Sequence, residues 1–253
     1  MSNTASKVFV LGPSGGGKSS SLRGLDPKVT CYINTDRKEP PLEGWVDNYK
    51  TVFTPEGLPD WTKSNYIEPS LPSTVIKAFI EWERREDIQN IILDTATHMI
   101  MADYIENAIG KDYKEYQKMG KNFYSLMDLM LDSKKNCIIY AHSELSFNEM
   151  GDKILKMATP GGKMIDGFVP PSFFTTVLHT HMEVKDKKQT YSFRTRPDFN
   201  GDPVKNPARF VGEEATNALN YLEPNNIQII LDKLEAFRKG IKPVEQPKVE
   251  VKK

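Results

Sequence analysis

The segment that most limits how this chain can fold is GPSGGGKSSS, residues 12–21. It follows the apolar run KVFVLG (7–12), which predicts a strand, and it leads into a helix predicted from Lys18 to about Gly24. Glycines allow backbone N–H groups to turn inward and approach a bound group without side-chain clashes. A helix that begins there directs its positive end at the same point. The segment therefore predicts an anion site between a strand and a helix.

The spacing within this segment indicates which anion is bound. Gly12 to Ser19 match G-x-x-x-x-G-K-S, the phosphate-binding loop of P-loop NTPases. Lys18 would place a positive charge near the β- and γ-phosphates, and the Ser19 hydroxyl would join the shell of Mg²⁺. The predicted cofactors are therefore ATP and Mg²⁺, held by Gly12, Pro13, Ser14, Gly15, Gly16, Gly17, Lys18, Ser19 and Ser20. A flexible glycine-rich turn is the alternative, but it does not explain the position between a strand and a helix.

Three further apolar segments end in polar residues that could serve a nucleotide: KVTCYINTD (28–36) at Asp36, NIILDT (90–95) at Asp94 and NCIIYAHSE (136–144) at His142. The carboxyl ends of parallel strands share one edge of a sheet, where the glycine loop would also lie. We predict that Asp94 holds Mg²⁺, with a helix N-cap as the alternative. Asp36 would orient the attacking water, unless it only stabilises a turn. His142 would sense the γ-phosphate, unless it only bonds a neighbouring backbone group.

The order of segments predicts an α/β fold, a mainly parallel central sheet with helices on both faces. Helices are predicted at 73–87, at 97–133 with a break near Gly110, and at 212–239. A further strand is predicted at KTVF (50–53), a mobile loop at 145–172, and a β-hairpin from FFTTVLHTHMEV and QTYSFRTRP. Residues 1–240 would form a single domain, and residues 241–253 a disordered polar tail.

Composition limits the functions this chain can have. Lys plus Arg and Asp plus Glu number 34 each, so a nucleic-acid site would have to be a local basic patch. No apolar run approaches the roughly 18 residues of a membrane helix, and the first residues contain no apolar signal region. Cys31 and Cys137 lie in apolar segments and indicate buried thiols in a reducing compartment. We therefore expect a cytoplasmic protein without a membrane partner.

The order GPSGGGKSS, CYINTD, NIILDT, CIIYAHSE, a Gly/Met-rich loop and a hairpin resembles the RecA-like ATPase core over about residues 5–210. It is most similar to small phage-encoded RecA-like proteins, the Sak-type annealing and recombination proteins, and to phage AAA family ATPases. The resemblance implies a P-loop NTPase core with a C-terminal β-hairpin, and a Walker B role for Asp94. It places Asp36 where that family has a catalytic glutamate, one methylene longer. It places His142 at a polar γ-phosphate sensor.

The resemblance also implies partners. Residues 143–170 would match a loop that contacts single-stranded DNA, with Lys153, Lys156 and Lys163 as candidate contacts; a lid over the nucleotide is the alternative. Four cations would match groups that reach the ATP of a neighbouring subunit, unless they form a solvated rim: Arg194, Arg196, Lys205 and Arg209. About six residues precede the first strand, where RecA-type filaments have a docking segment. Self-association is therefore expected as rings or short oligomers, if at all.

One more pattern bears on metal binding. His179, His181 and Glu183 alternate along one predicted strand and share a face, a spacing that could bind a metal. We favour a solvent-exposed polar face, with Leu178, Thr180, Met182 and Val184 buried opposite. The function predicted overall is a phage-type ATPase acting on single-stranded DNA in recombination or replication. The alternatives are a nucleotide-gated binding module with little hydrolysis and a small-molecule or nucleotide kinase.

Overall fold

The computed structural model describes residues 5–69, 71–108, 113–159, 169–211 and 214–241. Its strands are β1 (Lys7–Gly12), β2 (Thr30–Asn34), β3 (Tyr66–Ile67), β4 (Asn90–Asp94), β5 (Asn136–Phe147), β6 (Lys153–Met157), β7 (Thr176–Lys185), β8 (Lys188–Arg194), β9 (Ala208–Val211), β10 (Glu214–Asn217) and β11 (Leu222–Pro224). Its α-helices are α1 (Trp45–Asn48), α2 (Pro72–Glu83), α3 (Ala96–Asp103), α4 (Tyr113–Asp132) and α5 (Ile227–Arg238). A 3₁₀ helix, Ser19–Gly24, follows the glycine loop, and a π-helical turn, Tyr104–Ala108, follows α3.

The central sheet has the strand order β11-β8-β7-β1-β5-β4-β2-β3, with β6 added to the far end of β5. Pairing is parallel from β7 to β3, whereas β8, β11 and β6 pair in the antiparallel sense. β5 therefore lies between β1 and β4, and the register sets Gly12 beside His142 and Asn34 beside Asp94. The predicted α/β fold is confirmed. The predicted hairpin is β7–β8, and a second hairpin, β9–β10, follows it.

Both faces of the sheet are covered because side chains alternate along each strand. On β1, Phe9 and Leu11 pack into a core with α2, α3 and α4, while Val8 and Val10 pack on the opposite face with α5. All four side chains are buried completely. Cys31 and Cys137 are also buried, and burial raises the pKa of the Cys137 thiol to about 11. None of the described helices is both long and apolar enough to cross a membrane.

Two sequence predictions were wrong because tertiary pairing overrode local composition. The predicted loop at 145–172 begins instead with a hairpin, in which β5 continues to Phe147 and β6 pairs back along it. The predicted helix at 212–239 is limited to α5, which begins at the Asn226 N-cap, and β10 and β11 precede it. Pro224 lacks the N–H that a continuing helix would require. β11 also pairs with β8, which an isolated helical pattern cannot reveal.

Smaller differences concern the first half of the chain and the ends of the described ranges. KTVF contributes only a bridge from Phe53 to Pro59, and the outer strand of the sheet is β3. The break predicted within 97–133, near Gly110, falls between Ala108 and Tyr113, outside the described residues, and stays a prediction. Most of the predicted tail, 242–253, also lies outside them, so the division at residue 240 stays a prediction.

Two phenylalanines of equal size provide a test of where the core lies. Phe193 on β8 is 0% exposed and Phe210 on β9 is 73% exposed. Phe193→Ala should lower the free energy of unfolding by about 3–5 kcal/mol, because it removes a buried ring and leaves a cavity. Phe210→Ala should change it by less than about 0.5 kcal/mol. Urea unfolding followed by circular dichroism measures both, and equal losses would contradict this packing.

Candidate functional site

The glycine loop folds into a tight concave turn because three of its glycines meet specific steric requirements. Gly15 and Gly17 have φ angles of 73° and 87°, which L side chains rarely adopt. Gly12 lies against β7, and a Cβ on it would be 2.0 Å from the Thr180 hydroxyl oxygen. Gly17 similarly faces the ring of Tyr191 on β8. The sequence therefore closes the loop on a base formed by the β7–β8 hairpin.

Lys18 is buried and turned back onto the loop. Its Nζ donates to the carbonyl oxygens of Gly12 and Pro13, each at 2.8 Å, and lies 3.2 Å from Nδ1 of His142. Burial lowers the pKa of Lys18 to about 8, although the nearby carboxylates of Asp94 and Asp36 oppose the shift. The side chain is thus an ammonium at neutral pH, placed at the loop where a phosphate would need a counter-charge.

Asp94 is the buried acid of the site. Its Oδ2 accepts hydrogen bonds from the Ser19 hydroxyl at 2.6 Å and from the Tyr32 hydroxyl at 2.9 Å. Its Oδ1 is buried and has no hydrogen-bond partner among the described residues. Burial raises the pKa of Asp94, although the hydrogen bonds from Ser19 and Tyr32 and the Lys18 charge oppose the shift. A carboxylate and a hydroxyl at hydrogen-bond distance suit Mg²⁺, so Ser19 and Asp94 fit the predicted ion.

Asp36 and His142 line the same cleft as Lys18. Asp36 pairs with Lys38 at 3.1 Å and with Nε2 of His98 at 3.2 Å. His98 in turn packs edge-on against His142, with ring centroids 5.2 Å apart. Burial, assisted by the Lys18 charge, lowers the pKa of His142 to about 4, so this imidazole is neutral at pH 7. A neutral imidazole can accept or donate a hydrogen bond without repelling a phosphate.

These residues line one cleft of about 290 Å³. Its wall consists of the loop, the strand ends and a segment after β2: Ser14, Gly15, Gly16, Gly17, Lys18, Ser19, Ser20, Tyr32, Asn34, Asp36, Lys38, Glu39, Pro40, Pro41, Asp94, Thr95, His142 and Tyr191. The structure thus brings together Lys18, Ser19, Asp36, Asp94 and His142, which the sequence nominated separately. Their catalytic and metal roles stay predictions.

Sequence reasoning missed Tyr32, Tyr191 and His98. Alternation along β2 could have revealed Tyr32, because it is two residues before Asn34 and therefore on the same face. Nothing in the sequence marks Tyr191, which reaches Gly17 only through the hairpin. His98 is placed by the cap of α3, where the Thr95 hydroxyl accepts its backbone N–H.

The four candidate trans-acting cations are mostly occupied within the chain. Arg194 is buried and paired with Asp198 and Asp202, which disfavours the trans-acting role predicted for it. Lys205 donates to the carbonyl oxygens of Pro171, Ser172 and Phe174. The remaining two cations differ. The Arg209 guanidinium lies 4.4 Å from the ring centroid of Phe237 and donates to the backbone carbonyl oxygen of Arg238, whereas Arg196 is exposed.

The candidate DNA-contact residues and the histidine strand are placed as follows. Lys153 and Lys156 are exposed on β6, with Lys156 paired to Glu144 at 3.1 Å, while Lys163 lies outside the described residues. His179 is half-buried, with Nε2 3.2 Å from the Ser143 hydroxyl, and His181 and Glu183 are exposed. Opposite them, Leu178 and Thr180 are buried as predicted. Met182 and Val184 are instead 47% and 64% exposed, because the hairpin tip extends beyond the core.

The family of the chain follows from a comparison with known domains. A family model described as an AAA domain matches residues 4–201, most of the chain.

This chain belongs to that AAA domain family.

The family supports a nucleotide-binding P-loop ATPase core, as the loop and cleft predict. Among solved structures, the chain is similar to a KaiC-like protein from the hyperthermophilic archaeon Pyrococcus horikoshii OT3, at 8% identity and a TM-score of 0.40. That alignment covers 84% of this chain and 88% of the other, and at this score it adds no argument about function. The comparison with curated proteins gives no match.

A pair of glycine variants tests the geometry of the AAA domain's loop. Gly12→Ala should force the loop away from Thr180 and lower nucleotide affinity by at least about tenfold, with a loss of stability of about 1–3 kcal/mol. Gly120→Ala on α4 is the control, because its Cβ would meet nothing within 4 Å. That variant should be as stable as the wild type or up to about 1 kcal/mol more stable. Titration with a fluorescent ATP analogue and thermal unfolding measure both; normal binding by Gly12→Ala would contradict the described loop.

The lowered pKa of Lys18 predicts a specific pH dependence. The ammonium that attracts phosphate is present below about pH 8 and is lost above it. ATP affinity should therefore fall as the pH rises beyond about 8, by up to about tenfold per pH unit. Lys18→Arg should bind more weakly but without this dependence, since a guanidinium stays charged. Calorimetric titrations between neutral and alkaline pH measure both slopes, and parallel slopes would refute the assignment to Lys18.

Proposed function

We propose that this AAA domain is a RecA-like ATPase that binds ATP with Mg²⁺ and acts on single-stranded DNA in phage recombination or replication. The observation that carries the nucleotide half is the unpartnered, buried Oδ1 of Asp94, close to the Ser19 hydroxyl. Ser19 and Asp94 would hold Mg²⁺, which would supply positive charge beside phosphates held by the loop. Lys18 would leave the carbonyl oxygens of Gly12 and Pro13 and contact the β- and γ-phosphates.

Hydrolysis would use two further residues that line the same cleft. Asp36 would orient the attacking water, and the neutral imidazole of His142 would contact the γ-phosphate. The shorter aspartate, already paired with Lys38 and His98, favours a low rate of turnover.

The DNA half of the proposal is supported by the β5–β6 hairpin. β5 carries His142 beside the loop and continues to Phe147, whose ring is 64% exposed. Phe147 pairs with the exposed Lys153 across the hairpin, so their side chains are neighbours on one face. An exposed ring beside a cation suits a base stacked next to its phosphate. β5 would thus connect His142, the γ-phosphate sensor, to Phe147, the DNA contact. The protein would act in the cytoplasm of the host.

The pairing of Asp36 supports a second candidate, a nucleotide-gated binding module with little hydrolysis. Both carboxylate oxygens already have partners, Lys38 on one and His98 on the other. If these contacts persist with ATP bound, no oxygen remains free to activate water. Tight ATP binding with almost no phosphate release would favour this candidate over the ATPase. Self-association as rings or short oligomers would fit either function.

The central test is ATP hydrolysis with and without single-stranded DNA. We expect Mg²⁺-dependent turnover that rises when DNA is added, and a loss of at least about a hundredfold in Lys18→Ala, because the phosphate counter-charge is removed. Phosphate release measures the rate. Turnover that ignores every nucleic acid tried would refute the DNA half, and an unchanged rate in Lys18→Ala would refute the nucleotide site.

A direct binding test uses the hairpin. Phe147→Ala should weaken binding of a fluorescent single-stranded oligonucleotide by about 1–3 kcal/mol, since a stacking platform is lost. Lys153→Ala should reduce the dependence of binding on salt, because one phosphate contact is removed. The control is Phe210→Ala, which removes a similarly exposed ring on β9. Fluorescence anisotropy across salt concentrations measures all three, and equal affinity for Phe147→Ala and Phe210→Ala would remove the hairpin from the proposal.

A further inference from the structure

The register of the sheet gathers a second set of chelating side chains beside the loop. Asn34, Asp94 and Tyr140 lie side by side on β2, β4 and β5. The chelating residues come shortly after these three positions: Asp36 is two residues after Asn34, His98 four after Asp94, and His142 two after Tyr140. Their side chains therefore lie near the same edge of the sheet. Each offers one ligand atom, and these atoms lie within 4.8 Å of one another. Among the described residues, they form the one group of three such side chains that meets this spacing.

The donor set differs from that of the Mg²⁺ position. Two imidazole nitrogens and one carboxylate oxygen suit zinc and related first-row divalent ions, whereas Ser19 and Asp94 offer oxygen alone. Ligands at about 2.1 Å from a tetrahedral ion are about 3.4 Å apart. Oδ1 of Asp36 and Nε2 of His98 are already 3.2 Å apart. Three protein ligands also leave an open position on the ion, as in catalytic zinc sites.

The surrounding contacts hold two of the ligands in suitable orientations. Nδ1 of His98 lies 2.9 Å from the Thr95 hydroxyl oxygen, which can accept its N–H and leave Nε2 free to bind a metal. The backbone N–H of His142 donates to the Thr97 hydroxyl at 2.9 Å, which holds β5 to α3 at this residue. Metal-binding histidines in proteins are oriented by outer contacts of this kind.

Lys18 competes with a metal for His142. Its Nζ lies 3.2 Å from Nδ1 of His142, and an ammonium and a divalent cation repel each other at such distances. On the proposed function, nucleotide binding would turn Lys18 toward the phosphates and away from His142. The Lys18 charge would therefore weaken metal binding in the nucleotide-free protein without preventing it.

We propose that Asp36, His98 and His142 form a binding site for a divalent transition metal ion of the zinc class, which competes with Lys18 for His142. An ion bound there takes Asp36 away from the attacking water. It therefore inhibits hydrolysis, and this consequence rests on the proposed ATPase function. The binding site itself requires only the three side chains.

The test uses tag-free protein without nucleotide and Co²⁺ as the probe. Co²⁺ bound by two imidazoles and a carboxylate in a four- or five-coordinate site absorbs visible light strongly. We expect saturable binding of one ion per chain, displaced by Zn²⁺. His98→Asn and His142→Asn should each weaken binding by at least about tenfold. His181→Asn, which removes an exposed histidine of the β7–β8 hairpin, should bind like the wild type.

A second variant tests the competition with Lys18. Lys18→Met should tighten Co²⁺ binding by about tenfold, because a charge 3.2 Å from one ligand is removed. Thermal unfolding without metal verifies that each variant is folded. Absent or unsaturable binding in the wild type, equal loss in His181→Asn, or unchanged affinity in Lys18→Met would each overturn the proposal. The first outcome would leave His98 as a hydrogen-bond donor that positions Asp36.

Failure of this proposal is separable from failure of the proposed function. Co²⁺ binding is measured without ATP, so it does not depend on hydrolysis. A protein that binds Co²⁺ but hydrolyses no ATP keeps the metal site and loses the ATPase assignment. With both present, a low concentration of Zn²⁺ in excess Mg²⁺ should inhibit the wild type but not His98→Gln. Equal inhibition of the two would refute the inhibitory consequence.

Discussion

The hydrogen bond between Ser19 and Asp94 is the interaction on which the site depends. It joins the end of the glycine loop to a strand that is not adjacent to it, since β5 lies between β1 and β4. The contact can form only if the loop turns back over β5, and the glycines allow this turn. Because the carboxylate is fully buried, its charge is poorly solvated, and burial raises its pKa. The fold thus holds an acid at the loop that is stabilised when a cation binds.

Much of the fold was predictable because the parallel strands are short apolar runs that end in polar residues. The segments ending at Asp36, Asp94 and His142 needed no tertiary information, and the parallel arrangement then placed them at one edge. The β7–β8 hairpin was equally clear. The helix predicted at 212–239 was wrong because β11 gains its stability from β8, a partner distant in sequence.

The site was predictable only where a residue type at a given spacing serves a single function. The spacing of the glycine loop predicts phosphate binding, whereas nothing in the sequence shows whether a given arginine or lysine pairs within the chain or reaches a ligand. Arg194 has the charge of a trans-acting cation, but its burial beside Asp202 uses that charge within the chain. His98 was invisible because its position depends on the helix cap at Thr95 and not on any motif. The alternating histidines His179 and His181, whose spacing could also bind a metal, lie in different surroundings. His179 is half-buried beside the Ser143 hydroxyl, whereas His181 is exposed.

The two outer strands of the sheet have a consequence for how copies of this chain can meet. β3 has two residues and β11 three, and β11 ends at Pro224, which has no N–H to donate. Outer strands this short offer little unpaired backbone to an incoming strand, a common protection against edge-to-edge aggregation. On the β11 side the protection is partial, because β11 pairs only with Ser192–Arg194 and β8 begins at Lys188. Growth of the sheet from one copy to the next is therefore disfavoured most strongly at β3.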